Sequence, residues 1–391
     1  MVCGNVISAE SHQKTLVLSH TETSRPRFYR PELDCLRFLA FLTVFVSHAF
    51  SNNPDYYIER QMSPALSLWL SKAVASGGLG VVLFFVLSSY LITELLIREH
   101  NLTGRIDVKS FYVRRALRIW PLYFVFLLLI YLIIPQESPF ALEARFLFPM
   151  LLFVGNWACI VFGGMGQSVA GPLWSISVEE QFYLTWPLII SRIGVDRLKN
   201  TCIGLIIFAN VTRIIMQKKG AGFIDFWCNT VCWLDAIAAG ALIALFLRGN
   251  APERSVRSRL LLGIGGLVLW VLTRRFRDSL IYPDIISYPL VIIGSCMILL
   301  AMLGTNTSNP ILVYFGRISY GLYVFHAAAL VLAAFVFVRY SFKSALVGLA
   351  ITLVMGAISY RWLEQPFLKL KKRFTYVMSE PVAVQEPLSV R

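Results

Sequence analysis

Leu36 to Phe50 reads LRFLAFLTVFVSHAF. With the two residues that follow, it is long enough to cross the hydrocarbon core of a bilayer as a helix, which takes about 20 mainly apolar residues. It also carries an arginine and a histidine, which a lipid-facing helix excludes. Runs of the same kind recur at 75–97, 116–134, 174–191, 201–217, 230–247, 259–273, 281–303, 318–338 and 343–361. The composition agrees. Of the 391 residues 57% are hydrophobic and 15% charged, and the mean hydropathy is +0.66. A soluble chain of this length carries far more charge. The sequence therefore predicts an all-α fold, a polytopic membrane helix bundle of about ten transmembrane helices.

An eleventh apolar stretch, 144–162, complicates the count. The net charge of +14 suits Lys and Arg held in cytoplasmic loops, not nucleic acid. Basic clusters lie at Arg98–Arg118, Arg192–Lys199, Arg248–Arg259 and Arg361–Arg373. With all four in the cytosol, the chain makes an even number of crossings between Arg118 and Arg192. The stretch 144–162 is then predicted to be re-entrant from the outer side, with Gly163, Gly164, Gly166, Gly171 and Pro172 supplying irregular backbone. Both termini are predicted to be cytosolic. Arg274, Arg275 and Arg277 fall outside, against the positive-inside rule, so the sidedness of the 274–280 loop stays open. The domains read as an N-terminal tail 1–29 without a signal-peptide core, a transmembrane domain 30–370 and a C-terminal tail 371–391. The seven cysteines show neither zinc spacing nor a disulfide framework, and no metal is predicted.

Ionisable residues inside spans are costly and mark function. Those counted here are Arg37, His48, Glu94, Glu179, Glu180, Asp235 and His326. Arg37 and His48 are eleven residues apart, about three helical turns plus 20°, so they share one face roughly 16 Å apart along the axis. A cation at the mouth and an imidazole deep inside suit a ligand with an anionic head and a long neutral arm, as in acyl-coenzyme A. His48 would then act as general base for an attacking hydroxyl; the other reading is a packing histidine. Arg114 and Arg118 are i,i+4 neighbours, and Arg115 is i,i+3 from Arg118. Three guanidiniums at a helix start suit phosphate binding, or serve only to set topology. Glu179, about a turn below the outer surface, could reach His48 and orient it as the acid does in a hydrolase triad. Asp235 lies at similar depth. His326, placed nearer the cytosolic half, could touch the pantetheine arm or make a structural hydrogen bond. Gly77-Gly78-Leu79-Gly80 reads as a close helix contact, not a phosphate loop.

These motifs, taken in order, resemble the acyltransferase-3 family of membrane acyltransferases over about residues 30–370. The resemblance rests on Arg37, ten residues, then His48; Gly77-Gly78-Leu79-Gly80-Val81 with Phe84-Phe85-Val86-Leu87-Ser88; Phe111-Tyr112-Val113-Arg114-Arg115 with Arg118-Ile119 and Pro121; and Trp174-Ser175 through Glu179 to Phe182-Tyr183. Asp235-Ala236 with Gly240, Ser319-Tyr320-Gly321-Leu322-Tyr323 with His326, and Tyr360 with Glu364 and Pro366 complete it. After Ser88 the family usually has Gly-Phe, whereas this chain has Ser89-Tyr90.

The resemblance implies a cytosolic acyl-coenzyme A donor, with acetyl as the default acyl group. It implies an acceptor hydroxyl on a glycan, a lipid-linked sugar or a small molecule, and a multi-pass protein of a bacterial inner membrane. It implies catalytic importance for His48 and Arg37, with Glu179 in support. Arg114, Arg115, Arg118, Arg37 and His326 become candidates for the donor, and Asp235, Tyr183 and Ser88 further site candidates. The appended extracellular hydrolase-like domain of some relatives is expected to be absent. The alternative is a proton-coupled transporter using the buried Arg, His and Glu as a relay; the lack of a visible internal repeat weighs against it.

Overall fold

A computed structural model describes residues 28–276, 283–307 and 309–378. Among them every regular element is a helix. In chain order the principal helices are α1 (Pro31–Ala49), α2 (Pro64–Gly77), α3 (Gly80–Thr103), α4 (Val108–Ile133), α5 (Ala144–Leu151), α6 (Gly155–Phe162), α7 (Trp174–Ile193) and α8 (Val195–Lys218). There follow α9 (Leu234–Leu247), α10 (Val256–Phe276), α11 (Pro283–Met302), α12 (Pro310–Arg317), α13 (Ser319–Ala334), α14 (Phe342–Ser359) and α15 (Gln365–Lys371).

Local chemistry sets the boundaries. Asp107 caps α4 by accepting from the Ser110 N–H at 2.9 Å, and Asn309 and Ser341 cap α12 and α14 in the same way. Proline opens α1, α2 and α12, where its missing N–H costs nothing. Gly104 ends α3 in the left-handed region at φ 72°.

Among the described residues seven helical runs are long and apolar enough to cross a membrane, or eight if α12 and α13, bent by 74°, form one span. The sequence reading counted ten. Its other two, α1 and α7, have 19 and 20 residues but carry Glu32, Asp34 and Arg37, and Glu179 and Glu180. They match the length of a span without its apolarity. The stretch 144–162 is not one span: α5 and α6 have eight residues each, too short to cross, and Phe153 between them has φ 55°. Gln181 of α7 secures this break, donating to the Phe153 carbonyl and to Asn156, each at 2.8 Å.

The glycine run 77–80 is a packing device, as expected. A Cβ on Gly77 or Gly80 would strike Thr43 of α1. Gly240 similarly lets α9 rest on the Val86 carbonyl of α3, and Gly316 lets α12 rest on the Asp34 carbonyl of α1. Helix α1 thus lies inside the bundle against α2, α3, α12 and α13.

The four basic clusters meet at one end. Arg30 donates to the Gly249 carbonyl at 2.7 Å, Arg114 to the Phe374 carbonyl at 2.6 Å, and Lys199 lies over the Phe246 ring. Residues 371–378, the described part of the expected tail, pack into this end: the Tyr376 hydroxyl donates to Asp107, and the Phe28 N–H to the Met378 carbonyl. Arg277 lies outside the described residues. Arg274 stacks on Phe223 and Trp227, and Arg275 on Trp69.

Candidate active site

Helix α1 carries the first two site residues on one strip. Arg37 donates to Asp34 at 2.8 Å. Asp34 accepts from the Tyr29 hydroxyl at 3.0 Å, and that hydroxyl accepts from Arg317 at 3.2 Å. The guanidinium is therefore held by a chain of bonds reaching α12. His48, near the other end of α1, is exposed, and its Nδ1 lies 3.0 Å from the Val44 carbonyl. The second ring there is His326 of α13, fully buried between Phe41, Tyr323 and His48. Its Nε2 lies 3.3 Å from His48 Nδ1.

Between Arg37 and this pair lies a cavity of about 90 Å³ walled by five helices. Its chemistry comes from Arg37 of α1, Ser88 of α3, Arg115 and Arg118 of α4, Ser175, Glu179 and Tyr183 of α7, and Tyr320 and Tyr323 of α13. Each set follows helical spacing: 115 and 118 are three apart, and 175, 179 and 183 four apart, so each shares one face. Glu179 accepts from Ser88 at 3.1 Å and from the Tyr183 hydroxyl at 2.9 Å. The Arg115 guanidinium lies 5.1 Å from the Tyr183 ring centroid and 5.5 Å from that of Phe111. Neither Arg115 nor Arg118 makes a hydrogen bond or ion pair among the described residues. Tyr323 lines the side nearest His326, with its hydroxyl bonded to Ser175 Oγ at 2.7 Å and to the Pro172 carbonyl at 2.8 Å.

The structure thus brings Arg37, Ser88, Arg115, Arg118, Glu179 and Tyr183 to one cavity and joins His48 to His326 beyond it. Other placements differ from the sequence reading. Glu179 faces the cavity and bonds to neither histidine; depth alone had set it against His48, and depth does not determine which way a helix face turns. His326 lies at the level of His48, not in the opposite half. Arg317 lies level with Asp34 through the Tyr29 hydroxyl, and His326 follows it by nine residues, close to the eleven from Arg37 to His48, so the two rings meet at the same depth. Arg114 turns out of the cavity to Glu99, 2.8 Å away. Asp235 is ion-paired with Arg213, which is fully buried and also donates to the Cys232 carbonyl at 2.6 Å.

Sequence reasoning missed Arg213. A lone arginine in the span 201–217, facing an unpaired Asp235, was the available signal. It also missed Asp34 and the cavity tyrosines Tyr320 and Tyr323 as site groups. The last two stood in a quoted motif, spaced with Ser319 and His326 along one helical face.

An acyltransferase domain model matches residues 30–361, which include every residue lining the cavity and both histidines. The chain belongs to the acyltransferase-3 family. It is similar to a Staphylococcus aureus (strain MSSA476) protein bearing the provisional name O-acetyltransferase, at 28% identity over 87% of this chain and 58% of the relative. It is also similar to O-acetyltransferase OatA of Staphylococcus aureus strain COL, at 28% identity over 87% of this chain and 57% of the relative. The chain spans just under three-fifths of the length of these relatives. No solved structure matches it. Arg37 and His48, eleven residues apart on α1, lie on either side of Tyr323: Arg37 lines the cavity, and His48 meets His326 beyond that tyrosine.

Proposed function

We propose that this acyltransferase is a membrane O-acyltransferase that moves an acyl group, acetyl by default, from acyl-coenzyme A to an acceptor hydroxyl. The observation that carries the reading is the pair of guanidiniums, Arg115 and Arg118, that line the cavity beside Arg37 with no hydrogen bond or ion pair among the described residues. Buried or half-buried cations left unpaired are costly unless a ligand supplies the counter-charge, and guanidinium matches phosphate oxygens with two parallel donors. The donor's phosphates would lie at the basic end of the bundle, taken as cytosolic, and its arm would run toward the histidines. Glu179, fixed by Ser88 and Tyr183, offsets part of the positive charge and keeps the cavity selective for the far larger phosphate charge.

In the reaction His48 takes the hydroxyl proton as the oxygen attacks the thioester carbonyl. The carbon–sulfur bond breaks, and the departing thiolate takes the proton back from the imidazole, giving an ester and a free thiol. The exposure of His48 suits an acceptor arriving from the end opposite the basic one. A glycan, lipid-linked sugar or small-molecule hydroxyl fits this chemistry, and the relatives' names favour O-acetylation.

The test is release of coenzyme A thiol from acetyl-coenzyme A by the purified protein, with a panel of hydroxyl acceptors. General base catalysis contributes roughly 10²–10⁴-fold, so His48→Ala should lower the rate by that factor while the protein stays folded. An undiminished rate in His48→Ala sinks the mechanism. Solute flux in vesicles without thiol release would replace it with a transporter.

A further inference from the structure

The contacts of the two rings fix where their protons sit. A backbone carbonyl only accepts, so each ring nitrogen facing one must carry hydrogen. His326 Nδ1 lies 2.5 Å from the Tyr323 carbonyl, and His48 Nδ1 lies 3.0 Å from the Val44 carbonyl. In a neutral His326, Nε2 is then a bare lone pair, and it faces His48 Nδ1 at 3.3 Å. The His48 N–H is shared between Val44 and His326. Its Nε2 is left as the only bare nitrogen on that ring, and no protein group among the described residues bonds to it. No carboxylate bonds to either histidine among these residues.

We infer that His326 is a positioning residue that fixes His48 in the tautomer with the proton on Nδ1, so that Nε2 is the base. The inference rests on the acyl-transfer reading and deepens it. In a hydrolase triad an ionised carboxylate orients the imidazole. Here the second imidazole does so as a neutral acceptor, which costs no buried charge. When His48 gains the hydroxyl proton on Nε2, its Nδ1–H becomes the donor of a cation, and the bond to His326 strengthens. The gain therefore falls on the transition state and not on donor binding. Full burial of His326 and its Tyr323 bond keep the lone pair aimed. The ring approaches His48 and does not line the cavity that would take the donor's arm.

Two measurements on the full chain in lipid nanodiscs test this. The first is nitrogen NMR of histidine-labelled protein, with the two rings assigned from His48→Ala and His326→Leu. Both rings are expected to show a protonated Nδ1 and a bare Nε2; a His48 ring protonated on Nε2 instead overturns the inference. The second is thiol release from acetyl-coenzyme A, with water or an added sugar as acceptor. His326→Leu should slow turnover roughly 10- to 100-fold, the scale of one hydrogen bond to a charged group, with the KM for acetyl-coenzyme A unchanged. His326→Gln, whose amide oxygen can accept from His48, should recover most of the rate. The inference falls if His326→Leu keeps the full rate, if its defect lies in KM alone, or if His326→Gln does no better than His326→Leu. Loss of the acyl-transfer reading would show separately, as full thiol release by His48→Ala, and would leave the NMR result standing.

Discussion

Arg114 and Arg115 are adjacent in the chain and have different work. One residue of helix turns a side chain by about 100°. Arg115 and Arg118 face the cavity, while Arg114 is spent on Glu99 and the Phe374 carbonyl. Replacing Arg115 or Arg118 by Gln should weaken acetyl-coenzyme A binding by about tenfold or more, the value of one charge-assisted hydrogen bond. Arg114→Gln should leave donor affinity unchanged and lower thermal stability; equilibrium binding and melting in detergent separate the two. The Arg213–Asp235 pair is buried on both sides. Asp235→Ala strands a buried charge and should cost about 3–5 kcal/mol, while joint replacement of both residues by apolar ones should restore most of it. An Asp235→Ala protein that melts like the parent would remove the pair from the list of structural supports. At this scale the sequence showed which residues were too polar for lipid and, from the eleven-residue spacing, that Arg37 and His48 share a face. It could not show that His326 meets His48 or that Arg213 meets Asp235. Those contacts depend on how separate helices rotate against each other, which no spacing within one helix encodes.

At the level of helices, caps and close contacts hold the site groups in place. Bonds from the Ser110 backbone N–H, then from the Ser110 hydroxyl, hold the Asp107 carboxyl below the usual carboxylate range. A carboxyl lowered in the folded state adds stability that is present above its unfolded value and lost as pH falls through the folded one. The start of α4, and Arg115 and Arg118 with it, should therefore loosen only in acid. Asp107→Ala should cost about 1 kcal/mol at neutral pH, with the difference from the parent vanishing at low pH. A pH series of melting curves checks both the size and the sign. Gly316 presses on the backbone that carries Asp34. Gly316→Ala should push α12 off α1, release Arg37 from its partner and lower stability by about 1–3 kcal/mol. The apolar runs were readable from the sequence, although the helices overrun them: α4 begins at Val108, eight residues before the span read at 116–134. The split of 144–162 into two short helices was readable only as an excess of glycine and a charge-parity argument. What holds it open is Gln181, a residue on a different element.

For the molecule as a whole, the gathered basic clusters predict its orientation. With the native cysteines replaced, a cysteine at Asn101 should resist a membrane-impermeant thiol reagent added to intact cells, and one at Asn53 should react. The reverse pattern would invert the proposed donor and acceptor sides. The two helices that fail as apolar spans, α1 and α7, also supply His48, Arg37 and Glu179. This bears on biogenesis. An aspartate or arginine at the centre of a helix costs about 2.5–3.5 kcal/mol to partition from the translocon. The polar strip of α1 is covered only when later helices arrive, and α13, with His326, leaves the ribosome long after α1. Until then the nascent chain must keep a half-polar helix without its final neighbours. Chains truncated before α13 should therefore be short-lived, cleared by membrane quality control, and pulse-chase decay of such fragments would measure how long α1 waits for the second histidine.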